Sequence, residues 1–151
     1  MTVASPPIYF PEDFFTIEFW AKTHFVPEGG GFHFLFSLRP SSWTASSFPD
    51  LSVGVYVSGA TATATLDINS PRSEIQGTAL ATDQWVHFAV SRYGTSLFFF
   101  VQGVRASTFV LGTLGSSSSV FRVGDDFGAS NAWQGASIAD FRVVKGTALY
   151  T

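Results

Sequence analysis

Phe15-Thr16-Ile17-Glu18-Phe19-Trp20-Ala21-Lys22 alternates without a break. Phe15, Ile17, Phe19 and Ala21 fall on one side of an extended chain, and Thr16, Glu18, Trp20 and Lys22 on the other. A helix would scatter those four apolar residues around its circumference, so residues 15–22 read as a strand with one buried face. The same period runs through the rest of the chain. Phe32, Phe34, Phe36 and Leu38 alternate with His33, Leu35, Ser37 and Arg39; Leu51, Val53, Val55 and Val57 alternate with Ser52, Gly54, Tyr56 and Ser58. Three Ala-Thr pairs carry it through 60–68. Val86, Phe88 and Val90 oppose Trp85, His87 and Ser91, and further strands are predicted at 97–102, 104–109, 120–124 and 138–144. No segment carries an apolar stripe of 3.6-residue period, so helix is expected to be nearly absent.

Turn residues stand where hairpins need them. Gln102-Gly103 reads as a two-residue turn, with glycine supplying positive φ without steric cost. Gly29-Gly30-Gly31, Asn69-Ser70-Pro71 and Asp125-Asp126-Phe127-Gly128 mark other joints, and 40–49 and 111–119 read as loops. At 151 residues the chain has room for one domain with a real core. Nine or ten short strands with regular turns predict an all-β, antiparallel two-sheet jelly-roll sandwich over residues 14–151. Residues 1–13, with Pro6, Pro7 and Pro11, read as an N-terminal extended arm or edge strand.

Composition narrows the functional classes. Only 13% of residues are charged while 17% are aromatic, which excludes a disordered chain. A net charge of −3 with scattered basic residues argues against a nucleic-acid partner. The longest dense apolar run, Leu97–Val101, is too short to span a bilayer, so no membrane role is expected. The N-terminus lacks the basic and apolar regions of a signal peptide. Without cysteine there are no disulfides, Cys–zinc sites or thiol nucleophiles.

Several segments together resemble a known family. Residues 15–20, Gln84-Trp85-Val86-His87-Phe88-Ala89-Val90-Ser91-Arg92, Leu97–Val101 with Gln102-Gly103, Phe121-Arg122-Val123-Gly124, and Trp133-Gln134-Gly135 through Ile138–Val143 follow the order seen in laminin-G-like domains of the concanavalin A-like lectin/glucanase superfamily. The closing stretch, residues 140–151, is similar to a form of this domain found in tailed-phage virion and tail-fibre proteins. By that resemblance Trp85 is a packing residue. Asp140 and Arg142, two apart on the last strand, read as a same-face ion pair.

Because the superfamily contains glycoside hydrolases, catalysis needs a test. Retaining hydrolysis uses two neighbouring carboxyl groups, which on one strand means acidic residues two or four apart. Glu18 stands alone, Asp67 is followed by Ile68 and Asn69, and the family's Glu-x-Asp-x-x-Glu pattern is missing. Serines near His24 or His87 have no nucleophile-elbow context. The chain is therefore expected not to be an enzyme. His24, His33 and His87 lack metal-ligand spacing. The resemblance allows calcium as a cofactor: laminin-G-like domains often bind it at the sandwich rim, where Asp125, Asp126 and Asn131 would supply oxygen ligands.

For sugar binding the candidates are Trp43, in a polar loop, and Tyr56 and Trp20 on polar strand faces. Phe48, Phe98, Phe100 and Leu35 join them as candidate ligand or subunit contacts. Phe98, Phe100 and Leu35 lie on the outward side of their strands, and such surplus apolar surface suggests a covering partner. Together with the resemblance this favours a non-catalytic phage virion structural protein, a capsid decoration (cement) or tail-associated component. It would be assembled in the host cytoplasm, contact neighbouring virion proteins and form a homo-oligomer, expected to be a trimer. The alternative is a carbohydrate-binding, lectin-like or host-receptor-binding module.

Overall fold

Among the described residues the chain forms ten β-strands and no helix. The computed structural model describes residues 14–24, 31–40, 51–69, 72–110, 119–124 and 135–151. The strands are β1 (Phe14–Thr23), β2 (Gly31–Pro40), β3 (Leu51–Ser58), β4 (Thr61–Asn69), β5 (Arg72–Leu80), β6 (Trp85–Tyr93), β7 (Ser96–Val101), β8 (Val104–Val110), β9 (Ser119–Val123) and β10 (Ala136–Lys145). They form two five-stranded antiparallel sheets, in the orders β10-β1-β6-β7-β8 and β5-β4-β3-β2-β9. The predicted two-sheet sandwich is the fold. Residues 1–13 lie outside the described part.

One face of each sheet supplies the core. Phe15, Ile17, Phe19 and Ala21 of β1 and Val86, Phe88 and Val90 of β6 meet Phe36 and Leu38 of β2, Leu51, Val53, Val55 and Val57 of β3, and Leu66 and Ile68 of β4. Phe19 stacks on Phe88 (5.4 Å between ring centres) and on Phe141 of β10 (5.4 Å); Phe141 in turn meets Phe36 of the opposite sheet at 5.9 Å. These aromatic contacts tie the two layers together near the middle of β1.

The β6–β7–β8 meander follows its turn chemistry. Gln102 and Gly103 both have positive φ (+55° and +74°), the geometry that a two-residue hairpin matching strand twist requires. A Cβ at Gly103 would meet nothing within 4 Å, so Gly103→Ala costs only backbone strain, about 1 kcal/mol. A urea melt of that variant is expected to show a lower midpoint with an unchanged slope. No loss of stability would mean the turn relaxes.

Three sequence expectations need correction. First, β2 does not keep its phase. A bulge between Phe34 and Phe36 places Phe34 opposite Gly54, on the outer face, and sends Leu35 into the core at 0% exposure. Second, Phe100 is covered within the chain. After β10, residues 146–151 fold back across the outer face of the β10–β8 sheet. The Gly146 N–H donates to the Phe14 carbonyl (2.9 Å), Thr16 Oγ1 accepts the Leu149 N–H (2.8 Å), and Ser91 Oγ accepts the Tyr150 N–H (3.4 Å). The Tyr150 ring then lies 5.5 Å from that of Phe100. Phe98 is half-buried, with the Arg105 guanidinium 5.9 Å from its ring centre. Leu35 and Phe100 therefore give no grounds for an external partner. Third, β5 has no counterpart in the sequence reading, since Arg-Ser-Glu-Ile-Gln-Gly-Thr-Ala-Leu shows no alternation; pairing with β4 makes it a strand.

Candidate functional site

The outer face of the β10–β8 sheet gathers the chemistry, and the β1–β6 register dictates how. Glu18 lies opposite Ala89, Trp20 opposite His87, and Lys22 opposite Trp85. Trp20 and Trp85 are thereby diagonal neighbours on adjacent strands, within reach of one bound molecule. Both are open, at 39% and 43% exposure. Trp85 is thus not the packing residue expected: it shares the parity of His87, not that of Val86. Gln102 in the β7–β8 turn holds this part of β6. Its N–H donates to the His87 carbonyl (2.8 Å), its Oε1 accepts the His87 N–H (3.1 Å), and its Nε2 donates to the Trp85 carbonyl (3.2 Å).

Glu18 sits deeper, beside this pair, at 6% exposure. Its carboxylate accepts the Tyr150 O–H (2.5 Å), pairs with the Arg142 guanidinium, and has His87 Nε2 3.4 Å away. The expected Asp140–Arg142 pair is replaced by this one. A bulge opposite Phe19, with Asp140 at φ +51°, shifts the β1–β10 register and leaves Glu18 opposite Arg142. Burial pushes the Glu18 carboxyl up, but the Tyr150 hydrogen bond and the Arg142 hydrogen bond and charge, with His87 behind them, outweigh burial and hold it below its ordinary value. The same hydrogen bond, with burial second, raises Tyr150 above the usual tyrosine range. Tyr150 is accordingly a proton donor at neutral pH, fixed over Glu18. The His87 ring, 5.1 Å from that of Trp20, links the carboxylate to the open platform.

The face therefore offers two half-open indoles bordered by Lys22, His87, Gln102 and the partly exposed Arg142. Apolar ring faces beside fixed polar donors suit a molecule with C–H faces and hydroxyl edges. Of the sugar-binding residues singled out in the sequence, Trp20 is here. Tyr56 is half-buried on the outer side of the other sheet, opposite Thr63, and does not join it. Trp43, Phe48 and the calcium candidates Asp125, Asp126 and Asn131 lie outside the described residues. No group of three or more His, Cys, Asp or Glu side chains that could hold a metal occurs among the described residues. No described helix is long and apolar enough to cross a membrane.

Comparison with known proteins follows the fold. The laminin-G family model described as the concanavalin A-like lectin/glucanases superfamily matches residues 2–149. No curated protein sequence matches the chain. Among solved structures, an alginate lyase from Corynebacterium sp. superimposes with a TM-score of 0.58 at 13% identity, over 87% of this chain and 58% of that one. The enzymatically active domain of tailspike protein 2 from bacteriophage CBA120 gives a TM-score of 0.62 at 13% identity, over 92% of this chain and 23% of that one. Domain 4 of a GH43 extracellular arabinanase from Geobacillus stearothermophilus, in complex with arabinotriose, gives 0.53 at 18% identity, over 87% and 60%. The chain thus spans about three fifths of the length of the Corynebacterium lyase. Further alginate lyases match at 11–13% identity, and a family 18 polysaccharide lyase at 10%. These neighbours overturn the expectation that the chain is not an enzyme, because alginate lyases share its fold. The missing carboxylate pair is a requirement of glycoside hydrolysis, and lyases are a different reaction class.

Proposed function

The chain belongs to the concanavalin A-like lectin/glucanase superfamily, and from that premise we propose that it binds carbohydrate polymer through the outer face of the β10–β8 sheet. Trp20 and Trp85 are the stacking platform; Lys22, His87 and Arg142 meet hydroxyl or carboxylate groups of the sugar. The observation that carries this reading is the diagonal pair of open indoles on adjacent strands, held by Gln102 and bordered by fixed polar groups. An apolar protein partner would be served better by a face without the Glu18–Arg142–His87 group beside it.

Neighbouring alginate lyases, a tailspike and an arabinotriose-bound domain support a glycan ligand. The tailspike neighbour and the resemblance of residues 140–151 to phage forms support a tail-associated setting, with the glycan on a host surface. A capsid-cement role loses its main support because Leu35 and Phe100 are covered inside the chain.

Binding to a panel of uronate polymers, arabinans and bacterial surface polysaccharides tests the proposal. Trp20→Ala and Trp85→Ala are each expected to weaken binding at least tenfold, about 1.4 kcal/mol, with little change in melting temperature because both side chains are half-open. Unchanged affinity in both variants, or no binding by the native chain, would refute it.

A further inference from the structure

At the end of the same sheet, three side chains from distant parts of the sequence form a relay. Asp83 Oδ1 lies 3.3 Å from His24 Nδ1, and His24 Nε2 lies 2.9 Å from Ser137 Oγ. One imidazole nitrogen thus faces a carboxylate and the other a hydroxyl. With the carboxylate holding the Nδ1 proton, Nε2 is left to accept the proton of Ser137, which is the polarity that hydroxyl activation requires.

Main-chain bonds fix the parts. The His24 N–H donates to the Gly135 carbonyl (2.7 Å), and the Asp83 N–H donates to the Thr23 carbonyl (2.6 Å). Asp83 takes the left-handed conformation, φ +58°, in the turn before β6. Lys22 stands opposite Ser137 on one side and Trp85 on the other, with its Nζ 3.6 Å from Asp83 Oδ1. Ser137, Lys22 and Trp85 therefore form one row across β10, β1 and β6, roughly 10 Å from end to end. The His24 and Asp83 side chains are 44% and 66% exposed, so the relay is open to substrate.

We propose that Ser137 and His24, positioned by Asp83, form a hydrolytic site for esters. The assignment of O-acyl groups on a bound glycan as the substrate class rests on the carbohydrate-binding reading above. A sugar stacked on Trp85 lies along the row that ends at Ser137. Ser137 Oγ attacks the acyl carbon while its proton passes to His24 Nε2, and the Lys22 ammonium is the cation on the same row for the developing oxyanion. The acyl C–O bond then breaks, His24 returns the proton to the departing sugar oxygen, and an acyl-serine remains. Water attacks the acyl carbon and gives a proton to His24, which passes it to Ser137 Oγ, releasing the carboxylic acid. Ester and water become acid and alcohol, and no other reactant is consumed.

Two assays on the native chain test the site separately from glycan binding: mass spectrometry after treatment with a fluorophosphonate probe, and hydrolysis of p-nitrophenyl acetate. The expected result is one adduct on Ser137 and turnover above buffer. Ser137→Ala is expected to abolish both, and His24→Gln to lower turnover at least about a hundredfold. Asp83→Asn is expected to lower kcat with KM unchanged, which a merely structural role would not produce. A native chain that binds glycan but gives neither adduct nor turnover overturns the relay, and so does labelling that survives Ser137→Ala. An adduct on Ser137 in a chain that binds no glycan supports the relay and overturns the carbohydrate reading.

Discussion

Phe19→Ala should lower the free energy of unfolding by about 3–5 kcal/mol, the range for emptying a buried phenylalanine site. Phe19 is 1% exposed and sits between Phe88 and Phe141, and Phe141 reaches Phe36 across the core. Removing its ring breaks the stack at the strand that pairs with both β6 and β10. The rigid sheet backbone on either side leaves little scope to collapse the cavity. A stability of roughly 5–15 kcal/mol is usual for a domain, so the variant loses a large share of it. Urea denaturation followed by tryptophan fluorescence measures the difference. A loss below about 1 kcal/mol would mean that Phe19 does not bridge the layers as described.

Acid is expected to destabilise the protein through Glu18. Its carboxyl titrates below the ordinary value of 4.5 in the folded chain, so the unfolded chain binds the proton more readily. The stability this contributes is fully present above about pH 4.5 and is lost as the pH falls through the lower folded value. Arg142, Tyr150 and His87 face the carboxylate. Glu18→Gln is expected to cost about 1–3 kcal/mol at neutral pH, because Tyr150 and Arg142 lose the charged acceptor that the buried Glu18 gives them. The same variant should flatten the acid limb and bring the Tyr150 titration back toward its ordinary value of 10.0. Urea midpoints from pH 7 to pH 3 check the first part, and tyrosinate absorbance the second. An acid limb as steep in the variant as in the native chain would place the titrating group elsewhere.

The sandwich was legible because alternation is a local property. Phe15 to Lys22 shows which side chains share a face without any knowledge of the neighbouring strands. Register is not local. That Lys22 meets Trp85, and that a bulge turns Arg142 toward Glu18 and away from Asp140, depends on pairing across long sequence separations. Leu35 faces the core against its expected side for a related reason, since one extra residue in β2 reverses the phase that follows. A signal for Trp85 was nonetheless present in its parity with His87. For Tyr150 and Ser137 there was none, because their partners Glu18 and His24 are more than a hundred positions away.

The four tryptophans, at 20, 43, 85 and 133, give four indole N–H resonances that can be followed while an oligosaccharide from the binding panel is titrated into the labelled protein. The signals of Trp20 and Trp85 are predicted to move together and saturate at the same ligand concentration. Saturable shifts confined to Trp43 or Trp133, with Trp20 and Trp85 unmoved, would contradict the assignment of the carbohydrate site to this sheet face.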